Sequence, residues 1–301
     1  MEFDELEVFT AIAKLKSFSA AARALYLSQA TISTKVKSLE QNVGMMLFRR
    51  NNTTAVLTEA GEVLIPYANQ LLALKKEAKT HMSDYKLGLK GKLTLAASHT
   101  ICNWVLPSLI KKFRRNNPDI EITLFTSFTN DTIEKVLSGE VQFGLIRMPF
   151  AHFLDDRFNS KLLEVDKTLF FTHPNHSIFC AKDIKLERIS KEQLIVYGAT
   201  TSYWPQMRNV FEMQGLIPNA VMELNDTHAV KLFTQLGSYV AFLPEVTLKE
   251  ELTQGTLKTI DISDYVTLKR YSFLIYRKDR SLVGIAKEFW DFANELSILE
   301  W

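Results

Sequence analysis

The sequence is poor in residues that mark several large classes of protein. It contains two cysteines in 301 residues, which excludes the disulfide framework of a small secreted domain. Its 11 glycines and 8 prolines exclude collagen-like and low-complexity chains. No apolar run approaches the length of about 18 residues that a membrane-spanning helix needs. The acidic N-terminus lacks the basic start of a signal peptide, so the cytoplasm is the expected location.

The net charge is also small, with 36 Lys and Arg residues and 34 Asp and Glu residues, but these charges are unevenly distributed along the chain. Residues 1–92 carry 13 basic and 9 acidic residues, whereas the rest of the chain carries 23 and 25. Residues 28–58 contain four basic residues and one acidic residue. Such a local basic patch indicates a polyanion as partner. The length and the 47% hydrophobic content predict at least two folded domains.

Residues 1–58 have the pattern of a winged helix-turn-helix domain. Helical apolar spacing ends at Ser17, which can cap an alanine-rich helix over residues 20–25, and Ser28 can cap a third helix. Apolar residues spaced by three and four predict the buried side of that third helix. Residues 47–58 are typical of two short strands joined by a polar tip, which predicts a wing.

Polar residues of the third helix and the wing are the candidate DNA contacts. Gln can bond adenine through two hydrogen bonds, Ser and Thr can reach several base edges, and Lys and Arg bind phosphates. We therefore expect the third helix to enter the major groove of double-stranded DNA and the wing to lie over the backbone or minor groove. A solvated helix surface is the alternative for any single residue. The candidates are Ser28, Gln29, Thr31, Ser33, Thr34, Lys35, Lys37, Arg49, Arg50, Asn51 and Asn52.

Residues 59–90 predict a long helix followed by a flexible joint. Apolar residues recur every three or four positions from Leu64 to Tyr85, which is a heptad-like pattern. The helix would be roughly 43 Å long, too long to bury its apolar side against a domain of 58 residues. We therefore expect a homodimer through this helix, because two-fold symmetry also matches a palindromic DNA site.

Residues 91–301 alternate predicted strands and helices, which predicts parallel βαβ units in an α/β fold. Such sheets bind ligands beyond the carboxyl ends of their strands. Hydroxyls and free amides at the start of a helix, together with an arginine at a strand end, suit a small carboxylate or oxyanion. The candidates for this effector site are Ser98, His99, Thr100, Arg147, Thr201, Ser202 and Tyr203. The alternatives are simple helix capping by Ser98 and Thr100 and an ion pair at Arg147. Residues 190–193 also fit a helix capping box.

The N-terminal pattern resembles that of LysR-type transcriptional regulators. The resemblance rests on Phe9, Ser17, Phe18, Ser19, Ala20, Ala21, Ala22, Leu25, Ser28, Gln29, Ser33, Leu39, Glu40, Gly44, Leu47, Phe48, Arg50, Leu57, Thr58, Ala60 and Gly61. It implies a multidomain α/β fold with a winged helix-turn-helix, a linker helix and a two-lobed domain like periplasmic binding proteins. The implied bounds are 1–58 for the DNA-binding domain, 59–90 for the linker, and 91–301 for the effector domain, with lobe I at 91–162 and 268–301 and lobe II at 163–267.

The resemblance also implies a function. It implies a sequence-specific regulator that binds imperfect palindromes near promoters, contacts RNA polymerase, and assembles as a homotetramer of two dimers. A small-molecule effector would bind between the lobes and change the geometry of the paired DNA-binding domains. The candidate effector residues named above suggest that this effector is an anion.

Other functions have weaker support in the sequence. No catalytic constellation or phosphate loop is found, so we expect no enzyme and no cofactor. His173 and His176 lack acidic or cysteine partners at metal-site spacing, so we expect no metal. The alternatives are a redox-sensing regulator of the same fold that uses Cys102 or Cys180, and a small-molecule binding protein whose winged helix contacts proteins. A regulator with an oxyanion-binding β-barrel is disfavoured by the alternation of helices and strands.

Overall fold

The N-terminal domain is a three-helix unit followed by a two-stranded wing. The structure is a computed structural model and describes residues 1–50, 55–87, 91–153, 155–198 and 203–297. The elements of this domain are α1 (Phe3–Leu15), α2 (Phe18–Ala24), α3 (Gln29–Val43), β1 (Phe48–Arg50) and β2 (Ala55–Leu57). Its strands pair antiparallel with Arg49 opposite Val56, so the predicted winged helix-turn-helix is confirmed.

Both predicted helix caps of this domain are present. The Ser17 hydroxyl accepts a hydrogen bond from the Ala20 amide at 3.2 Å, and the Ser28 hydroxyl accepts one from the Thr31 amide at 3.1 Å. Each bond satisfies an amide that the first turn of a helix leaves without a partner. The three helices pack around one apolar core that includes the fully buried Phe9.

A buried carboxylate holds the wing against α3. Glu40 lies near the end of α3, and its Oε1 accepts hydrogen bonds from the amides of Leu47 at 2.8 Å and Phe48 at 3.3 Å. The charge of Glu40 is therefore buried with two donors, as a buried carboxylate requires. This arrangement fixes the position of β1 relative to α3.

The linker helix α4 (Glu59–Leu87) is 29 residues long and begins close to the wing. The Thr58 hydroxyl accepts a hydrogen bond from the Gly61 amide at 3.1 Å. A Cβ atom on Gly61 would lie 2.3 Å from the Leu47 carbonyl oxygen, so only glycine fits this approach. Ala68 faces the domain core, whereas other apolar residues of α4 remain exposed. The exposed ones are Val63, Tyr67, Leu71, Leu74 and Met82.

The C-terminal domain contains a continuous sheet of nine strands in the order β4-β3-β5-β11-β6-β9-β7-β8, with β10 paired to β6. The strands are β3 (Lys92–Ala97), β4 (Glu121–Thr126), β5 (Phe143–Met148), β6 (Phe158–Thr172), β7 (Leu194–Tyr197), β8 (Ala220–Leu224), β9 (Val240–Pro244), β10 (Lys258–Thr259) and β11 (Lys269–Arg277). The helices are α5 (Leu106–Arg114), α6 (Thr129–Leu137), α7 (Leu186–Ser190), α8 (Tyr203–Glu212), α9 (Thr227–Thr234), α10 (Lys249–Gln254) and α11 (Gly284–Glu295). Alternating strands and helices confirm the predicted α/β class.

Two long antiparallel strands connect the two halves of this sheet. β6 pairs with β11 as far as Lys167 and then with β9 from Thr168 onward. Phe143 and Phe289 lie in the core of the first half, and Phe170 and Phe242 lie in the core of the second half. Each half therefore has its own core. That the chain crosses from one lobe to the other near residues 162 and 268 stays a prediction.

One local prediction is wrong. Ser190 does not begin a helix through a capping box; it is the last residue of α7. Its hydroxyl donates to the Glu187 carbonyl at 2.8 Å, because a short helix precedes it and β7 follows within four residues. No helix in the described part of the chain is long and apolar enough to span a membrane.

Candidate DNA interface and ligand cleft

The exposed side of α3 contains the residues best placed to reach a DNA groove. Gln29, Thr34 and Lys37 are exposed, and Ser33 is half-buried. In the described part of the chain, Gln29 and Lys37 have no side-chain hydrogen bond or ion pair, so the amide and the ammonium group are both available to a ligand. Their spacing of eight residues places them two turns apart on the same helix.

Four other candidates, Ser28, Thr31, Thr34 and Lys35, already have partners within the domain. The Ser28 hydroxyl caps the helix and lies 2.8 Å from the Thr31 hydroxyl. Thr34 donates to the Ala30 carbonyl at 3.0 Å, and Lys35 pairs with Asp4 of α1 at 3.4 Å. These hydroxyls keep lone pairs that can accept a bond, and an exposed ion pair of this kind contributes little free energy.

The wing places one described arginine at the surface. Arg49 is exposed on β1. Arg50 is the last residue of that strand. Asn51 and Asn52, which form the predicted tip, lie outside the described residues.

Tyr26 is a surface residue that the sequence analysis did not select. It lies in the turn between α2 and α3, has a left-handed φ of 55°, and is 96% exposed. A bulky residue in this conformation is unusual, and its hydroxyl can donate to a phosphate. The position of an aromatic residue in the turn of a predicted helix-turn-helix could have indicated Tyr26 as a candidate DNA contact from the sequence.

A cleft with a volume of about 590 Å³ opens at the strand ends of both halves of the C-terminal domain. Five of the predicted effector residues line it, whereas Thr201 and Ser202 lie outside the described residues. The five are Ser98, His99, Thr100, Arg147 and Tyr203. The volume lies within the range of small-molecule sites.

Ser98 follows β3 and does not serve as a simple helix cap. Its hydroxyl oxygen is buried and has no hydrogen-bond partner among the described residues, although its amide donates to the Leu145 carbonyl at 3.0 Å. A π-helical turn, Ile101–Val105, follows directly and leads into α5, which confirms a helix at this position. Thr100 makes no capping hydrogen bond either.

Arg147, at the end of β5, is held by two carboxylates. Its side chain is 8% exposed, and Nη2 lies 2.5 Å from Asp166 and 3.6 Å from Glu164. The ion-pair alternative for this residue is therefore present in the structure. Even so, Nε and Nη1 of Arg147 are buried without a partner among the described residues, an arrangement that is costly unless a ligand accepts from them.

Glu164 carries a perturbed carboxyl group in this cluster. Burial raises the pKa of Glu164, and the neighbouring charge of Asp166 raises it further. The charge of Arg147 and a hydrogen bond from the Ser272 hydroxyl at 3.1 Å oppose that increase in the pKa.

Arg270, at the start of β11, is a cleft residue that the sequence analysis missed. It is 6% exposed, its Nη1 donates to Oε1 of Gln206 at 3.1 Å, and its guanidinium lies 4.6 Å from the centre of the Tyr203 ring. Burial lowers the pKa of Arg270, and the charge of Arg147 adds to that effect. The sequence signal was weak, because only the strand pairing shows that this end of β11 faces the cleft.

The comparisons with known proteins identify the family. Residues 3–62 match the model of the bacterial regulatory helix-turn-helix proteins of the lysR family. Residues 86–297, most of the chain, match the LysR substrate binding domain. The chain belongs to the LysR family of transcriptional regulators. This LysR-type regulator combines a DNA-binding helix-turn-helix domain with an effector-binding domain.

Relatives of this LysR-type regulator match over nearly its whole length. A probable RuBisCO transcriptional regulator of Thalassiosira pseudonana is 29% identical, with 98% of this chain and 97% of the relative covered. A full-length OxyR from Pseudomonas aeruginosa has a TM-score of 0.68 at 20% identity, with 99% and 96% covered. The full-length CbnR in complex with its target DNA has a TM-score of 0.65 at 21% identity, with 98% and 99% covered. The two structures show the shared fold.

These matches do not favour the alternative functions. The two cysteines of this LysR-type regulator are free; Cys102 is half-buried and Cys180 is exposed. Cys102 Sγ lies 3.3 Å from the Thr126 hydroxyl. The α/β sheet of the C-terminal domain differs from the β-barrel of an oxyanion sensor.

Proposed function

We propose that this LysR-type regulator binds imperfect palindromes near promoters and responds to a small anionic effector in the cleft. The observation that carries the effector assignment is a set of buried donors around one cavity. The Ser98 hydroxyl and two nitrogens of Arg147 have no partner among the described residues, and all three belong to residues that line the cleft. An oxyanion satisfies several such donors at once.

The proposed DNA contacts divide into two kinds. Gln29, Ser33 and Thr34 read base edges in the major groove, while Lys35 and Lys37 bind phosphates. Ser28 and Thr31 support the start of α3 through their mutual contact. The wing contacts the backbone or the minor groove through Arg49, Arg50, Asn51 and Asn52.

The exposed apolar side of α4 supports a homodimer. Five large apolar residues of this helix remain accessible, and the helix of a second copy would cover them in a left-handed coiled arrangement. Two such dimers form the proposed homotetramer, which acts in the cytoplasm, contacts RNA polymerase and has no enzymatic activity.

A gel-shift assay tests the proposed function. Purified full-length protein is titrated into a labelled fragment that flanks its own gene, at two stated salt concentrations, with a fragment of unrelated sequence as competitor. We expect retention of the flanking fragment at protein concentrations at least about tenfold lower than for the unrelated fragment. Equal affinity for both fragments would exclude sequence-specific regulation and favour a protein-contact role for the winged helix.

A further inference from the structure

The cleft contains two buried arginines whose charges are compensated differently. Arg147 has Asp166 and Glu164 within ion-pair distance. Arg270 has no carboxylate within that distance among the described residues. Its polar partner is the neutral amide of Gln206 at 3.1 Å. A buried cation without a counter-charge is costly, since desolvation is then not repaid by an ion pair.

Arg270 is held by an aromatic ring and one hydrogen bond. The Tyr203 ring lies under it at 4.6 Å, and the Tyr203 hydroxyl lies 3.0 Å from the Thr168 hydroxyl. Phe242 stacks with Tyr203 at a centroid distance of 5.8 Å. A guanidinium in cation–π contact with a ring keeps several N–H donors that can bind an oxyanion.

The other charges around the cavity limit the charge of the ligand. Asp131 lines the cleft, as do the apolar rings of Phe128 and Phe150. A second negative group on a ligand would therefore meet Asp131 or apolar walls, because the charge of Arg147 is already compensated by two carboxylates. The described lining therefore supplies an uncompensated positive charge for one anionic group of a ligand, but not for a second one.

We propose that Arg270 binds the charged group of the effector and that the effector is a singly charged organic anion, a monocarboxylate with an apolar body. This inference rests on the proposed function and deepens it. Arg147 and Ser98 then supply hydrogen bonds to the ligand, while Arg270 supplies the charge. A carboxylate can accept two parallel bonds from the guanidinium edge.

Thermal unfolding with two matched series of probes tests this assignment. The first series is benzoate, benzamide and terephthalate, and the second is hexanoate, hexanamide and adipate. Each compound is added to the full-length protein at the same concentration, about 20 mM. NaCl is added so that all samples have the same ionic strength. We expect at least one monocarboxylate to raise the Tm by about 3 °C or more, with a smaller rise for its amide and its dicarboxylate.

Three variants assign the effect to Arg270. We expect Arg270→Gln to abolish the rise in Tm with the monocarboxylate. The matched control is Arg157→Gln, because Arg157 is 62% exposed and pairs with Asp155; this variant should keep the full rise. Gln206→Leu leaves the charge of Arg270 in place but removes its hydrogen-bond partner, and should reduce the rise without abolishing it.

The outcomes separate this inference from the proposed function. A cooperative unfolding transition of Arg270→Gln without any anion, at a Tm close to that of wild type, shows that the variant is folded. An equal rise in Tm for Arg270→Gln and wild type, or a larger rise with the dicarboxylates, overturns the assignment even when specific DNA binding is intact. The absence of a rise with both monocarboxylates also overturns it. Failure of wild type to discriminate DNA overturns the proposed function instead.

Discussion

At the scale of the residue, the buried polar groups of this protein are concentrated where the two halves of the C-terminal sheet meet. Glu164, Asp166, Arg270 and Ser272 are all less than 10% exposed and lie on the two connecting strands β6 and β11. Burial of so many polar groups is costly unless each has a partner. In this cluster Glu164 accepts a hydrogen bond from Ser272, Asp166 pairs with Arg147, and Arg270 donates to Gln206.

The first prediction concerns base reading by α3. Gln29→Ala should relax discrimination at one base pair by about 1–3 kcal/mol, because it removes a two-bond contact with a base. Lys37→Ala should weaken binding to every sequence and reduce the slope of log K against log salt by about 1, because it removes a phosphate contact. Gel shifts with a set of single-base variants at several salt concentrations measure both effects.

The control for this pair is Lys182→Ala, which removes an exposed lysine from the C-terminal domain and should change neither quantity. Unchanged discrimination at every base pair for Gln29→Ala would show that its side chain does not read a base.

The second prediction concerns the dependence of stability on pH. Because burial raises the pKa of Glu164, its carboxyl binds a proton more tightly in the folded chain than in the unfolded chain. Its contribution to the free energy of unfolding is therefore most favourable below the ordinary Glu pKa and falls as the pH rises through the raised pKa. The free energy of unfolding of wild type minus that of Glu164→Gln should thus be larger at pH 5 than at pH 7.5. Urea unfolding of both proteins at the two pH values measures this difference.

Glu187→Gln provides the opposite control. Lys191 lowers the pKa of the exposed Glu187, so its contribution to stability increases with pH only below the ordinary Glu pKa; wild type should therefore gain relative to this variant as the pH rises from 3 to 5, and the difference should stay constant from pH 5 to pH 7.5. A difference between wild type and Glu164→Gln that does not change with pH would refute the prediction for Glu164.

At the scale of the element, sequence patterns predict the helices that carry their own caps. Ser17, Ser28 and Asp226 each accept a bond from an amide three residues later, so local chemistry determines where α2, α3 and α9 begin. The same reasoning is wrong for Ser190, because a short helix precedes it. The 15-residue strand β6 was not predicted, since its partners β11 and β9 are far away in the sequence.

The candidate sites follow the same division between local and long-range information. Ser98 and Arg147 could be selected because each follows the apolar part of a parallel strand. Arg270 could not, because the direction of an antiparallel strand depends on pairing across more than a hundred residues.

The third prediction concerns the junction of α3 and the wing. Glu40→Ala should lower the free energy of unfolding by about 1–3 kcal/mol, because the amides of Leu47 and Phe48 lose their acceptor while they remain buried. Urea unfolding of the full-length protein measures this change. Glu40→Gln keeps an acceptor oxygen and should cost less; an equal or greater loss for Glu40→Gln would show that the charge, rather than the hydrogen bonds, matters.

At the scale of the whole molecule, an apolar strip on α4 remains exposed among the described residues of one chain. Leu74 is 58% exposed and Tyr67 is 60% exposed, and both lie on the same side of the helix, seven residues apart. Apolar residues at this spacing are typical of a helix that pairs with another helix. The proposed dimer contact therefore runs along α4.

The fourth prediction tests this contact. Leu74→Glu should raise the Kd of the dimer at least about tenfold, because two buried like charges would face each other across the two-fold axis. Sedimentation analysis over a range of protein concentrations measures the Kd. Val266→Glu is the control, since Val266 is 84% exposed outside α4, and it should leave the dimer intact. An unchanged Kd for Leu74→Glu would place the dimer contact elsewhere.

The two strands that join the halves of the C-terminal sheet have a mechanical consequence. β6 and β11 remain hydrogen-bonded to each other over nine register pairs, so the halves can rotate only by twisting this ribbon. Any closure of the cleft on a ligand would therefore change the twist of β6 and β11. The irregularity between Ser272 and Phe273 locally breaks the regular pairing of this ribbon and lies two residues from Arg270, the charge that the ligand would bind.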